Sequence, residues 1–431
     1  MRMPRALRGY RNVERHIWLA VATQFGIQWV NTTFFLLLNF YMAHEGFTDY
    51  EVAEVLSYRF LAVCLLAFPL GLFIKGRRIM PFFYVASLGV PLFSYALLFA
   101  IQAGDAALLN LMATGWGIAY TCMQITILPY ILLNARRDTH SEAFSLSFLS
   151  FSLTLCLAGA MHFLLHQLAP NTVDERFTLL LVTTLSLGGV VVLRFIRKPE
   201  TVSERVPFRA VFRGYDWGLI LKALVPTTII AIGAGFTIPV INLFFLNVHG
   251  VSSETFSAVG SATFLLVALV MVFMPYIRRS FGYRVAITLF QGVSVLALFI
   301  LATTEYYAEW WGAAYIGLFF YVVRQPLMSA ATPMTNELTM YYVGKRNQEI
   351  MSAMNASIWS GSWFFSMKVF GWLRQLDYRY VSIFLITVAF YALGVLWYAY
   401  LIRSYYRRTG SDGVERKAHR KRQVERLDTA P

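Results

Sequence analysis

The stretch VAEVLSYRFLAVCLLAFPLGLFIKGRR, residues 52–78, reads as one membrane crossing followed by a charged stop. Its apolar run, roughly 52 to 74, is about as long as a helix needs to be to cross a hydrocarbon layer. Lipid offers no partner to a backbone N–H or C=O, so an isolated apolar run of this length satisfies itself as an α-helix. Lys75, Arg77 and Arg78 then hold the chain at one membrane face. Working outward, similar runs lie at approximately 17 to 43, 79 to 102, 108 to 134, 143 to 166 and 177 to 195, with boundaries good to a few residues. A second set follows at approximately 217 to 246, 255 to 277, 284 to 304, 311 to 338, 350 to 372 and 381 to 403.

The loops between these runs alternate in charge. Arg2 to Arg15, the Lys75 to Arg78 loop, Arg136 and Arg137, Arg194 to Arg213, Arg278 to Arg284, Lys345 and Arg346, and the tail from Arg403 to Arg426 all fall on one side. The opposite loops hold mainly acids: Glu45, Asp49, Glu51, Asp105, Asp174, Glu175, Glu254, Glu305 and Glu309. Loops rich in Lys and Arg stay cytoplasmic, so both termini are expected inside, with an even number of spans.

Composition agrees. Of the 431 residues, 58% are hydrophobic, too many for a water-soluble globule of this length. The net charge of +14 sits in inner loops and tail, where it faces anionic headgroups rather than nucleic acid. Cys64, Cys122 and Cys156 lie inside spans and make no disulfide framework. No cleavable leader precedes the first span, so a retained cytoplasmic N-terminus is expected.

An offset of 204 residues superimposes the two sets of spans. Phe40-Tyr41 falls on Phe244-Phe245, Gly46 on Gly250, Thr48 on Ser252, Val55 on Val259 and Pro129 on Pro333. The expected organisation is an all-α membrane protein of about twelve transmembrane helices in two six-helix repeats. Residues 1–196 form the first half, 197–216 a cytoplasmic linker, 217–404 the second half and 405–431 a basic, disordered tail.

Over nearly its whole length the chain resembles the major facilitator superfamily. The resemblance rests on this architecture and on loop motifs. Gly71-Leu72-Phe73-Ile74-Lys75-Gly76-Arg77-Arg78 stands where that family has a glycine-acid-basic signature, with Lys75 in place of the acid. Arg279-Ser280-Phe281-Gly282-Tyr283-Arg284 is a second copy, again without the acid. The drug-exporter marks are absent: Leu111 stands where they carry Arg before Gly115, and no Gly-Pro motif occurs between Ser145 and His166. The resemblance implies alternating access between the halves, with the first, fourth, seventh and tenth helices lining a central cavity.

Arg324 is the sharpest polar signal, lying in the tenth span with no acid in the neighbouring turns. A charge at such depth costs at least ~2.5 kcal/mol and must face the bundle interior, water or a partner. The plainer reading is an Arg held by backbone carbonyls, Tyr321 or a neighbouring helix. Arg59 is a second candidate, though it has Glu51 and Glu54 within reach. Lys368 and Lys222 lie near span ends and read as snorkelling side chains. The repeat sets Tyr120 opposite Arg324, with Gln124 one turn on. Polar stripes at helical spacing add Gln24, Gln28, Asn31 and Asn39 on the first helix, Asn242 on the seventh, and Asn355 and Trp359 on the eleventh. Such stripes also serve as helix-packing seams. No Asp or Glu stands in the middle of a span; His162 and His166 are the titratable pair, close to the outer face, and read first as interfacial.

No phosphate loop, zinc-type cluster or nucleophile elbow is present, so neither enzymatic activity nor a cofactor or metal is expected. The sequence points to a secondary or facilitative transporter of a small polar or anionic solute. Its partners would be that small-molecule substrate and the lipid bilayer, with no nucleic acid; the chain is expected to be a monomer in the cell membrane. The alternatives are an exporter of amphipathic drugs or lipids and a non-transporting membrane sensor.

Overall fold

The computed structural model describes residues 12–409 apart from 75, 137–138, 171, 198, 201–214 and 345–346. The N-terminal arginines up to Arg11, most of the linker and the tail beyond 409 lie outside the described residues. Helices follow one another as α1 (Arg15–His44), α2 (Asp49–Phe73), α3 (Met80–Ala103), α4 (Ala106–Asn134), α5 (His140–Leu168) and α6 (Glu175–Arg194). Then come α7 (Trp217–His249), α8 (Ser253–Tyr283), α9 (Phe290–Thr303, entered through a π-helical turn at Arg284–Leu289), α10 (Ala313–Val343), α11 (Gln348–Gln375) and α12 (Tyr380–Thr409).

Loop acids and hydroxyls act as caps. Asp105 accepts from the N–H groups of Ala107 and Leu108 at 3.0 Å, Asp174 from Phe177 at 2.7 Å and Asp216 from Leu219 at 3.1 Å. Thr48 and Glu51 form a reciprocal capping box at α2, with the Thr48 N–H donating to Glu51 at 2.8 Å. Gly46 and Gly250, matched by the repeat, both have positive φ (89° and 62°), which explains why glycine recurs in the turn before α2 and α8.

Nine of these helices are long and apolar enough to cross a membrane. Among the described residues, α1, α10 and α11 fall short in hydropathy, though they have 30, 31 and 28 residues. At about 1.5 Å per residue each is still longer than the hydrocarbon layer is thick. They fall short because they carry the inward polar side chains: Gln28 and Asn31, then Arg324 and Gln325, then Asn355, Ser366 and Lys368. The outward surface is apolar, with Leu92, Phe99, Phe148, Phe319 and Leu396 all more than 60% exposed.

In the first six helices α1 packs on α5 and α6, α2 on α4, and α3 on α4. In the last six α7 packs on α11 and α12, α8 on α10, and α9 on α10, which is the same pattern shifted by six. The two sets meet along α2–α11 and α5–α8, seams that exchange under the same shift. We call the end bearing the start of α1 and the close of α12 the terminal end, and the opposite end the far end.

Glycines set the closest approaches. A Cβ on Gly117 of α4 would lie 2.5 Å from the carbonyl oxygen of Arg59 on α2, so the two backbones are nearly in contact there. α7 breaks into a 3₁₀ turn at Ile238–Val240, and the carbonyl of Pro239 accepts from Asn39 of α1 at 2.6 Å. That bond crosses between the two sets of helices, so the break supplies a carbonyl that an unbroken helix would have kept.

Candidate functional site

Arg59, Asn31, Gln28 and Tyr120 form one polar relay among α1, α2 and α4. An Arg59 Nη donates to Asn31 Oδ1, Asn31 Nδ2 donates to Gln28 Oε1 at 3.1 Å, and the Tyr120 hydroxyl donates to that same oxygen at 2.9 Å. The Arg59 guanidinium lies 3.9 Å over the Trp116 ring, which stacks on Tyr120 with centroids 5.2 Å apart. Cation–π contact of this kind contributes about 0.5–2 kcal/mol. Arg59 therefore turns away from Glu51 and Glu54, the acids the sequence offered it. Among the described residues, Asn31 is its one hydrogen-bond partner, leaving other guanidinium N–H groups free.

Arg324 on α10 is 1% exposed. Its Nη groups donate to Gln325 Oε1 at 2.9 Å and to the Tyr391 hydroxyl at 3.2 Å, while its Nε is buried without a partner. Of the holders the sequence offered, the structure has a neighbouring helix: Tyr391 of α12, and not Tyr321, accepts from Arg324.

Both clusters border one cavity of about 360 Å³. Arg59, Asn31, Tyr120 and Gln124 line it from the first six helices; Gln325, Gln291, Trp359, Trp363 and Tyr391 line it from the last six. Arg324 stands one layer behind the wall formed by its own partners. The cavity extends along α10 to Thr335 and Asn336, toward the terminal end. Among the described lining residues none is Asp or Glu.

Several sequence candidates lie elsewhere. Gln24 is tied to Ser147 of α5, accepting from its hydroxyl at 2.9 Å. Asn242 donates to the Leu36 carbonyl at 3.2 Å and accepts from Asn39 at 2.8 Å, which makes it part of the junction between the two sets of helices. Asn355 donates to Asn336 at 3.3 Å and touches the cavity only through that lining residue. Gln28 belongs to the relay behind the wall.

The far end is held by charge across the two sets. Arg374 Nε lies 2.8 Å from Asp49 Oδ2, Tyr380 donates to the same carboxylate at 2.5 Å, and Lys368 reaches Glu54 at 3.1 Å. Lys368 is thus an ion-pair partner rather than a snorkelling side chain. His162 is fully buried and not interfacial: its Nδ1 is 2.9 Å from Thr178 Oγ1 and its Nε2 3.3 Å from Ser253 Oγ. The Ser253 hydroxyl donates to the buried carboxylate of Glu175, which also has His44 Nδ1 at 3.3 Å. His166 bonds the Val173 carbonyl at 2.9 Å and lies 3.9 Å from Glu254.

The sequence reading missed Trp363, Gln291, Trp116 and Glu175. Trp363 lies one turn beyond Trp359, so continuing that stripe would have found it. Gln291, a lone amide in an apolar run, carries the same kind of signal as Arg324. Glu175 gives none, because the hydroxyl that donates to it, Ser253 of α8, is 78 residues away.

Solved structures with this arrangement are known. A bacterial homologue of the human lysosomal transporter Spinster, inward-facing and occupied, matches at TM-score 0.68 over 90% of this chain and 96% of its own, with 12% identity. A variant of the nucleoside transporter NupG matches at 0.68 over 90% and 100%, also with 12% identity. A bacterial homologue of the iron transporter ferroportin matches at 0.68 in its inward-facing state, over 90% and 98% with 13% identity, and at 0.63 in its outward-facing state. The chain has the major facilitator fold. No family model and no curated protein sequence matches it. With the major facilitator fold and nine helices apolar enough to cross a membrane, it is a multi-pass membrane protein.

Proposed function

We propose that this chain is a secondary transporter that carries a small polar or anionic solute through a membrane by alternating access. The observation behind this reading is the pair Arg59 and Arg324, each bonded to neutral groups alone beside a cavity with no described carboxylate. A buried cation without a counter-charge is costly, and a substrate carboxylate or phosphate relieves that cost. In this reading all twelve helices cross the membrane, with 1–196 and 217–404 as the moving halves, 197–216 as linker and 405–431 as tail. The loop charges make the terminal end cytoplasmic. The cavity then lies on the cytoplasmic side of a closed outer end, an inward-facing state.

A second reading, export of an amphipathic compound, draws on an apolar groove of about 410 Å³ between α7 and α11 that includes the lipid-facing Phe365. One experiment separates the two. In a thermal-shift screen of the purified chain, small anions should raise the unfolding temperature, and Arg59→Gln should remove the effect. Stabilisation by detergents or lysolipids alone, unchanged by Arg59→Gln, would favour the amphipathic cargo.

A further inference from the structure

The geometry points to a narrower cargo, a small organic anion bearing a flat aromatic ring, with its carboxylate on Arg59 and its ring against Trp363. This rests on the anion reading given above. Nine of the 24 lining residues are aromatic, against 16% of the whole chain, so the wall suits a ring better than it suits an aliphatic diacid or inorganic phosphate. A neutral sugar would also stack on such rings, yet it would leave Arg59, the cation that lines the cavity, unmatched.

Placement supports the pairing. Phe60 follows Arg59 on α2 and meets Trp363 edge-on, with centroids 5.0 Å apart at 88°. Trp359 lies beyond it at 6.3 Å and 67°. The aromatic surface therefore begins beside the cation, with the Arg59 Cζ 5.8 Å from the Phe60 ring centroid, where a carboxylate joined to a ring by a short linker would bridge the two. Arg59 lines the cavity and is itself held by the Trp116 ring and by Asn31, so a ligand there meets a cation whose position is already fixed, at little entropic cost. Gln291, 3% exposed, contributes a side-chain amide with no protein partner among the described residues, able to meet a hydroxyl on the far side of a ring. The space, about 360 Å³, has room for a single-ring acid.

The test is calorimetric titration of the purified full-length chain with phenylacetate, 4-hydroxyphenylacetate, adipate and neutral 2-phenylethanol. The two aromatic acids should bind at least about tenfold more tightly than the other two. Arg59→Gln should weaken both acids about tenfold or more. Trp363→Leu should weaken them about fivefold, and Trp363→Phe should restore most of the loss. Thermal unfolding of each variant checks that it is folded; should Trp363→Leu not fold, the selectivity of the Phe variant carries the comparison. Adipate binding as tightly as phenylacetate, unaffected at Trp363, overturns the aromatic inference and leaves the anion reading standing. If 2-phenylethanol binds as tightly as phenylacetate and Arg59→Gln changes nothing, the anion reading itself falls. Absence of binding by both aromatic acids overturns the inference.

Discussion

Arg324 and Tyr391 depend on one another: the hydroxyl gives the guanidinium one of its two neutral acceptors, and the guanidinium gives the hydroxyl its polar partner. Truncating Arg324 to Ala leaves the buried Tyr391 hydroxyl without its partner, at about 1–3 kcal/mol, and takes a donor from the half-buried Gln325 carbonyl. Arg324→Ala should therefore lower both thermal stability and anion binding, and Lys, a single point charge, should recover little. Arg59→Gln should lose binding with a much smaller change in unfolding temperature, because the relay of Asn31, Gln28 and Tyr120 keeps its other bonds. The measurement is unfolding temperature with and without ligand in each variant. Equal loss of stability at both positions would mean that neither residue is reserved for substrate.

A second residue-scale effect concerns Glu14, just ahead of α1. Burial raises its pKa, but hydrogen bonds from its own N–H, the Arg136 N–H, Thr139 and the Arg136 side chain outweigh that, and the net shift is below the ordinary 4.5. A carboxylate with a depressed folded value adds stability that is complete above its unfolded pKa and is lost as pH falls through the folded one. At pH 7 Glu14→Gln should thus be less stable than the parent chain. By about pH 3 the difference should shrink, and unfolding curves at the two pH values measure it. A constant gap would mean the carboxylate acts through shape alone.

At the scale of elements, the close approach of α2 and α4 at Gly117 decides where Arg59 points. Gly117→Ala must push back the carbonyl of Arg59, an overpacking that costs about 1–3 kcal/mol. It should weaken substrate binding though Gly117 does not line the cavity; a variant of unchanged affinity would show that α2 can shift freely. The elements themselves were legible in the sequence because each is a long apolar run ended by a charge, cap or glycine. The α2 run, read as 52 to 74, is helical over Asp49–Phe73. The break in α7 was legible only as a place where Pro239 and glycines permit bending, since the partner that uses it, Asn39, is 200 residues away. The sites followed the same rule. Arg59 announced itself as a charge inside a span, Tyr120 and Gln124 through the repeat match to Arg324, and Asn31 and Trp359 as members of polar stripes at helical spacing; all five line the cavity. Gln24 and Asn242 gave the same signal and serve as packing seams, because periodicity specifies a face and not what stands opposite it. The far-end pairs of Lys368 with Glu54 and Arg374 with Asp49 join residues more than 300 positions apart, which no local pattern encodes.

For the whole molecule, those pairs bolt the end away from the termini. Neutralising both acids, Asp49→Asn with Glu54→Gln, should shift the population toward the state open at that end. In a chain with Cys64, Cys122 and Cys156 replaced by Ser, a cysteine at Gln124 should then react faster with an impermeant thiol reagent added to intact cells. Control cysteines at Asp105 and Arg78, both exposed and at opposite ends, should label and stay unlabelled respectively if the basic loops are cytoplasmic. Labelling of the Arg78 control in sealed cells reverses the orientation. The cavity offers no described carboxylate to carry a proton, so uptake into vesicles should run downhill or by exchange. Strong accumulation driven by an imposed pH gradient, persisting after His162 and His166 are changed to Gln, would mean that a carrier exists elsewhere.

The low hydropathy of α1, α10 and α11 also bears on how the chain is made. A nascent helix leaves the insertion machinery on its own apolarity, and Arg324 alone subtracts ~2.5–3.5 kcal/mol from that tendency. α11 finds matching groups on α2, which has been synthesised some 300 residues before it, and α10 finds the hydroxyl of Tyr391 only when α12 follows. The second half should therefore integrate poorly when translated from residue 215 onward without the first. Co-expression of residues 1–200 as a separate polypeptide should rescue it, which glycosylation tags placed in the loops can report. The polar contacts that hold the finished molecule together thus also fix the order in which its parts become stable in the bilayer.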